Sequence, residues 1–281
     1  MQYRPFGPKG EQVSVIGMGT WYIDVGNRQA SIAALRAGLD AGVNHIDTAE
    51  MYGDAELVVA EAIAGRRDEV FLVSKVLPSN ASRKGTRTAC ERSLKRLGTD
   101  RLDSYLLHWR GSYDLEDTVA TFMELQSEGK IRSWGVSNFD EDDLAELGDV
   151  ASEAGTASAC DQVLYHLKER AIEHAVLPAC KASGQALVAY SPFGHDDFPR
   201  PDSAGGKVIA SVARAHGATP YQVALAFLIL DPSVFAIPKT GGAKRAAENA
   251  AAGDLTLTPE ELAEIDRAFP RGPKPRSLPM L

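Results

Sequence analysis

Short apolar runs alternate with stretches of helical period along nearly the whole chain, and no other feature restricts the fold as tightly. Eight runs read as strands: VIGMGTW at 15–21, VNHI at 43–46, FLVSK at 71–75, DSYLLHW at 103–109, SWGVSNF at 133–139, CDQVLYH at 160–166, ALVAYSPF at 186–193 and VFAIPKT at 234–240. Between them, apolar residues recur on one helical face. In 28–41, Ile32, Leu35 and Leu39 align, and Gly42 stands where a C-terminal cap would. Similar stretches cover 54–64, 82–97 (Cys90, Leu94 and Leu97 in register, Gly98 behind) and 114–128, which ends at Gly129. Buried strands joined by amphipathic helices are the mark of parallel βαβ units.

Eight such units in 281 residues predict a closed (β/α)8 TIM barrel, a single α/β domain over residues 1–281. An open doubly wound sheet is the structural alternative. Two short runs around Pro8, Lys9 and Gly10 predict an N-terminal β-hairpin. The connection 194–206, rich in Pro, Asp and Gly, is the longest irregular one and is placed to cover a site. The Pro-rich residues 271–281 read as neither helix nor strand. In a barrel, the C-terminal ends of the strands converge on one face, where chemistry is kept. Here every apolar run breaks into polar residues at its end.

A net charge of −8 argues against nucleic acid as a partner. No apolar stretch approaches the ~20 residues of a membrane span and no basic-then-apolar leader is visible, so a cytoplasmic protein is expected. Cys90, Cys160 and Cys180 are scattered without a CxxC, and His45, His166, His174, His195 and His216 lack metal-ligand spacing. Free thiols, structural or surface histidines and no metal are expected. Gly17 and Gly19 begin like a dinucleotide fingerprint, but Tyr22 stands where the third glycine belongs.

Four side chains at strand ends can do proton chemistry: Asp47 with Tyr52 in GVNHIDTAEMYGDAE (42–56), Lys75 and His108. A phenol titrates near ~10, too high for ready exchange at neutral pH. An adjacent ammonium would lower that value, and a carboxylate would hold the ammonium in place. His108 could then hydrogen-bond a carbonyl oxygen and orient it toward Tyr52. Singly, each residue has a plainer reading: a packed phenol, a solvated lysine, a core histidine, an aspartate capping a turn.

GVNHIDTAEMYG, LVSK, YLLHW, GVSNF, QVLYH, VAYSP and AIPKT, in this order, resemble the aldo/keto reductases, TIM-barrel oxidoreductases that use NAD(P)H without a metal. Within that family LHWRGSYDLEDTV with QVLYHL is most similar to the bacterial diketogulonate/methylglyoxal reductase group. The resemblance implies a catalytic tetrad of Asp47, Tyr52, Lys75 and His108. It places Gly19, Thr20, Trp21 and Asp47 against the cofactor, assigns Ser137, Asn138 and Gln162 to the nicotinamide carboxamide, and gives Tyr190 the stacking ring. Ser191, Pro192, Phe193 and Gly194 match the segment that wraps the pyrophosphate. Ile237 and Pro238 lead to Lys239, Thr240 and Arg245, which match a 2′-phosphate clamp, and Glu248 and Asn249 match adenine contacts. NADPH is therefore the expected cofactor. By the same analogy Trp21, Met51, Leu77 and Trp109 line the substrate pocket. The short tail and the short connection after Trp109 imply an open pocket for small aldehydes, α-dicarbonyls of the methylglyoxal kind and keto-sugars, in a monomeric enzyme.

Two departures stand out. Asp161 replaces a common Asn before Gln162, placing a charge near the carboxamide pocket, and Leu167 replaces a common Pro. Two other classes remain open: an NADPH-binding regulatory module with little turnover, similar to potassium-channel β-subunits, and a non-redox aldolase using Lys75 as a Schiff base.

Overall fold

The computed structural model describes residues 1–281. A two-stranded antiparallel hairpin, β1 (Tyr3–Phe6) and β2 (Glu11–Ser14), precedes the main sheet. Eight parallel strands then follow in sequential spatial order: β3 (Met18–Gly19), β4 (His45–Asp47), β5 (Phe71–Val76), β6 (Leu102–Leu107), β7 (Ile131–Ser137), β8 (Cys160–Leu164), β9 (Ala186–Tyr190) and β10 (Val234–Ala236). The sheet closes on itself. Gly17 N–H donates to Ala236 O (2.8 Å), Ala236 N–H to Val15 O (3.0 Å) and Gly19 N–H to Pro238 O (3.2 Å). The structure is therefore the barrel and not the open sheet.

The seam explains the two glycines of VIGMG. A Cβ on Gly19 would lie 2.7 Å from Ile237 O, and one on Gly17 would meet the His45 ring and Ile237 at 2.9 Å. They allow the first and last strands to approach, a packing role unrelated to a phosphate fingerprint.

Helices α1 (Arg28–Asp40), α2 (Ala55–Ala62), α3 (Arg83–Leu97), α4 (Leu115–Ser127), α5 (Glu141–Glu153), α6 (Val176–Ser183), α7 (Ala204–Ala215), α8 (Pro220–Leu228), α9 (Ala243–Ala251) and α10 (Pro259–Ala268) complete the chain. Local signals set their ends. Ser82 caps α3 by accepting from Gly85 N, and Gly98 ends it in a left-handed conformation (φ 63°). Capping boxes start α5 at Asp140, α8 at Thr219 and α10 at Thr258. β5 and β6 are buried at every position, as strands enclosed between helices and a barrel interior must be.

Phe71, Val73, Leu106, Val188 and Phe235 belong to one apolar cluster inside the barrel, and the hairpin adds Phe6 and Val13 to it. Phe6 packs on Phe71 and Phe235 at ring separations of 4.8 and 5.1 Å, so the hairpin closes the end opposite the strand termini. No helix is long and apolar enough to cross a membrane.

Candidate active site

Alternation turns every second residue of a barrel strand inward. At the C-terminal ends these inward residues are Gly19, Asp47, Lys75, Ser137, Gln162 and Tyr190, with His108 just past β6 and Ile237 just past β10. All but Lys75 line one cavity of ≈ 430 Å³. Lys75 is wholly buried behind it. Tyr52 reaches the same cavity from the loop between β4 and α2.

The four predicted proton-handling residues meet. Lys75 Nζ donates to Asp47 Oδ1 (2.5 Å), to Thr48 O (3.0 Å) and to the Tyr52 hydroxyl (3.4 Å). The hydroxyl also stands 3.4 Å from His108 Nε2. Asp47 uses its second oxygen as well, since Gln162 Nε2 donates to Oδ2 (2.8 Å). Nothing in the sequence placed Gln162 against the tetrad, because the two residues lie 115 positions apart.

Burial governs the protonation states. Burial opposes the Lys75 ammonium, but Asp47 and Tyr52 outweigh it, so its pKa lies above the usual lysine value. Burial also pushes Tyr52 above the ordinary phenol range, against the lowering effect of Lys75. Pairing with an ammonium alone would lower it, and Lys75 does act in that direction, but desolvation of the phenolate is larger. His108 is pushed down to about 2, first by burial and then by the Lys75 charge. Its imidazole is therefore neutral at physiological pH. It can donate or accept a hydrogen bond but holds no spare proton.

Trp21, Met51 and Trp109 line the cavity beside Tyr52 and His108. Leu77 does not: it is half-buried outside the wall, with its N–H donating to Glu50 Oε1 (2.6 Å). Trp21 stacks on Tyr22 (4.7 Å) and, across the mouth, on His195 (5.7 Å). His195 and Asp196 therefore belong to the wall, where the only sequence signal was the irregular connection 194–206. Leu281 also lines the cavity, and its N–H donates to the Tyr190 hydroxyl (3.3 Å), so the tail reaches the mouth that was expected to be open. Tyr22, Asn138, Ser191 and Asp196 are the non-glycine residues with positive φ, and all four line this cavity. Backbone strain is thus concentrated at the site.

Ser137, Asn138, Gln162 and Tyr190 form one polar group on the wall. Tyr190 O–H donates to Asn138 Oδ1 (2.9 Å), Asn138 Nδ2 to Ser137 Oγ (3.1 Å) and to His108 O (3.2 Å), and Ser137 Oγ to Gln162 O (2.7 Å). Gln162 commits its amide N–H to Asp47 and keeps Oε1, an acceptor suited to a carboxamide N–H. Thr20, Ser191, Pro192, Phe193, Gly194 and Lys239 continue the wall. Pro238, Thr240 and Asn249 border a separate small void behind β3. Arg245 is exposed on α9, and Glu248 lies 3.8 Å from Lys244 Nζ. A cavity lined by amide-binding groups, with the exposed cation Lys239 on its wall, fits a phosphorylated nicotinamide dinucleotide.

Asp161 corrects an expectation. It faces away from the cavity, accepts from Phe139 N–H at Oδ1 (3.4 Å) and has no partner at Oδ2. Burial raises its carboxyl well above the usual range, so it adds no charge to the carboxamide end.

The chain belongs to the aldo/keto reductase family, whose sequence pattern residues 15–269 match. Methylglyoxal reductase YeaE of Escherichia coli (strain K12) is 46% identical over 259 residues, 91% of this chain and 90% of that relative. Glyoxal reductase of Bacillus subtilis (strain 168) is 32% identical over 260 residues, 92% and 89% of the two chains. The crystal structure of an aldo-keto reductase from Klebsiella pneumoniae in complex with NADPH has a TM-score of 0.92 and 45% identity, covering 100% of this chain and 99% of that one. Another from Klebsiella pneumoniae, in complex with NADP and acetate, gives 0.92 and 44% over the same shares.

Proposed function

We propose that this protein is an NADPH-dependent reductase of small aldehydes and methylglyoxal-like α-dicarbonyls, extending to keto-sugars, with Tyr52 as the general acid. The observation that carries the reading is the Tyr52 hydroxyl, 3.4 Å from both Lys75 Nζ and His108 Nε2 and open to the cavity. NADPH, when bound, supplies the hydride that reduces the carbonyl carbon. Tyr52 gives its proton to the carbonyl oxygen. Lys75, held by Asp47, stabilises the phenolate left behind. His108, neutral, donates a hydrogen bond to the same oxygen and turns it toward Tyr52. A neutral imidazole cannot replace the phenol as acid, which supports giving that role to Tyr52.

Ser137, Asn138 and Gln162 are assigned to the carboxamide, and Tyr190 to the ring face, so that the hydride donor carbon has little freedom. Lys239 and Arg245 are assigned to the 2′-phosphate; both are exposed and neither has an acidic partner. The substrate end is bounded by Trp21, Met51 and Trp109, an apolar environment suited to small uncharged carbonyls. The names of the Escherichia coli and Bacillus subtilis relatives support glyoxals as the substrate class. We assign the whole chain to one catalytic domain and the activity to the cytoplasm.

Initial rates with NADPH and with NADH across a panel of small carbonyls test the reading. Methylglyoxal turnover with NADPH, and much less with NADH, is expected. Binding of NADPH with no multiple-turnover oxidation for any carbonyl would favour the regulatory module instead.

A further inference from the structure

We propose that Arg92 and Arg96, one turn apart on α3, form a positioning clamp that holds the Tyr52 loop in register with Lys75. The inference rests on the reading of Tyr52 as the acid.

Tyr52 lies in an irregular loop, outside any strand ladder, so its hydroxyl must be placed by other contacts. The loop is tied to the strand that bears Lys75 on both sides of the phenol. Before it, Glu50 N–H donates to Lys75 O (3.3 Å), and Glu50 Oε1 accepts from Leu77 N–H (2.6 Å) and Asn80 Nδ2 (2.9 Å). Arg92 donates to the other oxygen of the same carboxylate. After the phenol, Arg96 donates to Gly53 O (2.6 Å), Asp54 Oδ1 (3.0 Å) and Glu56 Oε2 (3.1 Å). Glu56 Oε1 in turn accepts from Ser74 Oγ (2.9 Å), the neighbour of Lys75. The spacing of four residues puts both arginines on one face of α3.

The two carboxylates are nearly inaccessible, at 4% and 1% side-chain exposure, whereas their arginines are 50% and 29% exposed. A buried carboxylate without a cationic partner is strongly unfavourable, and each arginine supplies its glutamate with that partner. A network that served only to join α2 to α3 would not need to end on residues 50, 53, 74 and 77. These flank Tyr52 and Lys75 by no more than two positions. The clamp sets the separation between hydroxyl and ammonium, and a displacement of about 1 Å can cost roughly a hundredfold in rate.

The groups facing the Tyr52 hydroxyl are Asp47 and Lys75 from the barrel, His108 beyond β6 and Tyr190 of β9. The carboxylates on its own loop, Glu50 and Asp54, turn to α3. Reduction uses the protonated phenol, so kcat falls as pH rises through its pKa. If Lys75 moves away, the ammonium lowers that pKa less, and the alkaline limb moves to higher pH.

The test compares Glu50→Ala, Glu50→Gln, Arg92→Ala and Arg96→Lys with Tyr52→Phe, using NADPH oxidation by methylglyoxal, NADPH affinity by fluorescence quenching, and the pH profile of kcat. Glu50→Ala is expected to lose roughly ten- to a hundredfold in kcat. Its NADPH affinity should stay within about twofold of wild type and its alkaline limb should move upward. Glu50→Gln, which keeps the acceptor for Leu77 N–H, should recover most of the loss. Arg92→Ala and Arg96→Lys should each lie between them. The clamp is overturned if Tyr52→Phe is inactive while folded Glu50→Ala and Arg92→Ala keep wild-type kcat, or if their losses track folded fraction alone with the limb unmoved. If Tyr52→Phe itself keeps wild-type turnover, the assignment of the acid fails and the clamp fails with it.

Discussion

Asp161 shows how far a side chain's state can depart from what its name implies. It reads as an anion in the sequence, yet its carboxyl is enclosed beside Phe139, and burial, with the charges of Asp143 and Asp140 adding to it, raises its pKa. A folded-state pKa raised above the unfolded value means that the native protein holds a proton the unfolded chain releases, so this residue costs stability as pH rises above the ordinary aspartate range near ~3.9. Asp161→Asn keeps the acceptor for Phe139 and removes that cost. We expect a higher Tm for Asp161→Asn at pH 8, with the gap closing toward pH 4; an equal Tm at both pH values would show that the carboxyl is ionised in the fold. Tyr52 makes the same point about legibility. Its residue type and strand-end position were readable, but the direction of its pKa was not. Burial, the largest influence, is a property of the assembled cavity.

At the scale of elements, most of the architecture was readable because helix and strand periods differ and the breaks are marked by Gly98, Gly129 and the caps. The strands proved shorter at the mouth than the apolar runs suggested. VIGMGTW yields only Met18–Gly19, since its glycines serve the closing seam, and residues past β7 and β9 turn into the cavity wall. The α3 arginines were invisible, because Arg92 and Glu50 are 42 positions apart and ionic pairs leave no periodic trace. On α9, Arg245 took its meaning only from the resemblance, and the structure leaves it exposed without an acidic partner. A charged hydrogen bond to phosphate contributes about 1.5–3 kcal/mol. Arg245→Ala should therefore raise KM for NADPH roughly ten- to a hundredfold and leave KM for NADH unchanged. Equal effects on the two cofactors would remove the 2′-phosphate assignment.

For the whole molecule, the barrel interior sets the response to acid. His45 is fully buried between Phe6 and Phe71, with both ring nitrogens unpartnered, and burial followed by the Lys75 charge pushes it down to about 3. His108 is at about 2. An unfolded histidine binds its proton near ~6.5, so below that pH the unfolded chain gains protons that the fold excludes. Each histidine then removes about 1.4 kcal/mol of stability per pH unit between its unfolded and folded values, while Asp161 acts in the opposite direction. Urea midpoints at pH 7.5 and pH 5 should fall for wild type and fall less for His45→Leu; identical slopes would place the acid response elsewhere.

The same interior brings Asp47, Lys75, His108 and Tyr52 together from three separate segments, with the phenol as the proposed proton donor. The most direct measurement is multiple-turnover NADPH oxidation by methylglyoxal in Tyr52→Phe, with folding checked by circular dichroism and NADPH binding by fluorescence quenching. NADPH affinity should be unchanged and kcat lower by roughly a hundredfold or more. Wild-type kcat in the folded, NADPH-binding variant would contradict the assignment of Tyr52 as the proton donor.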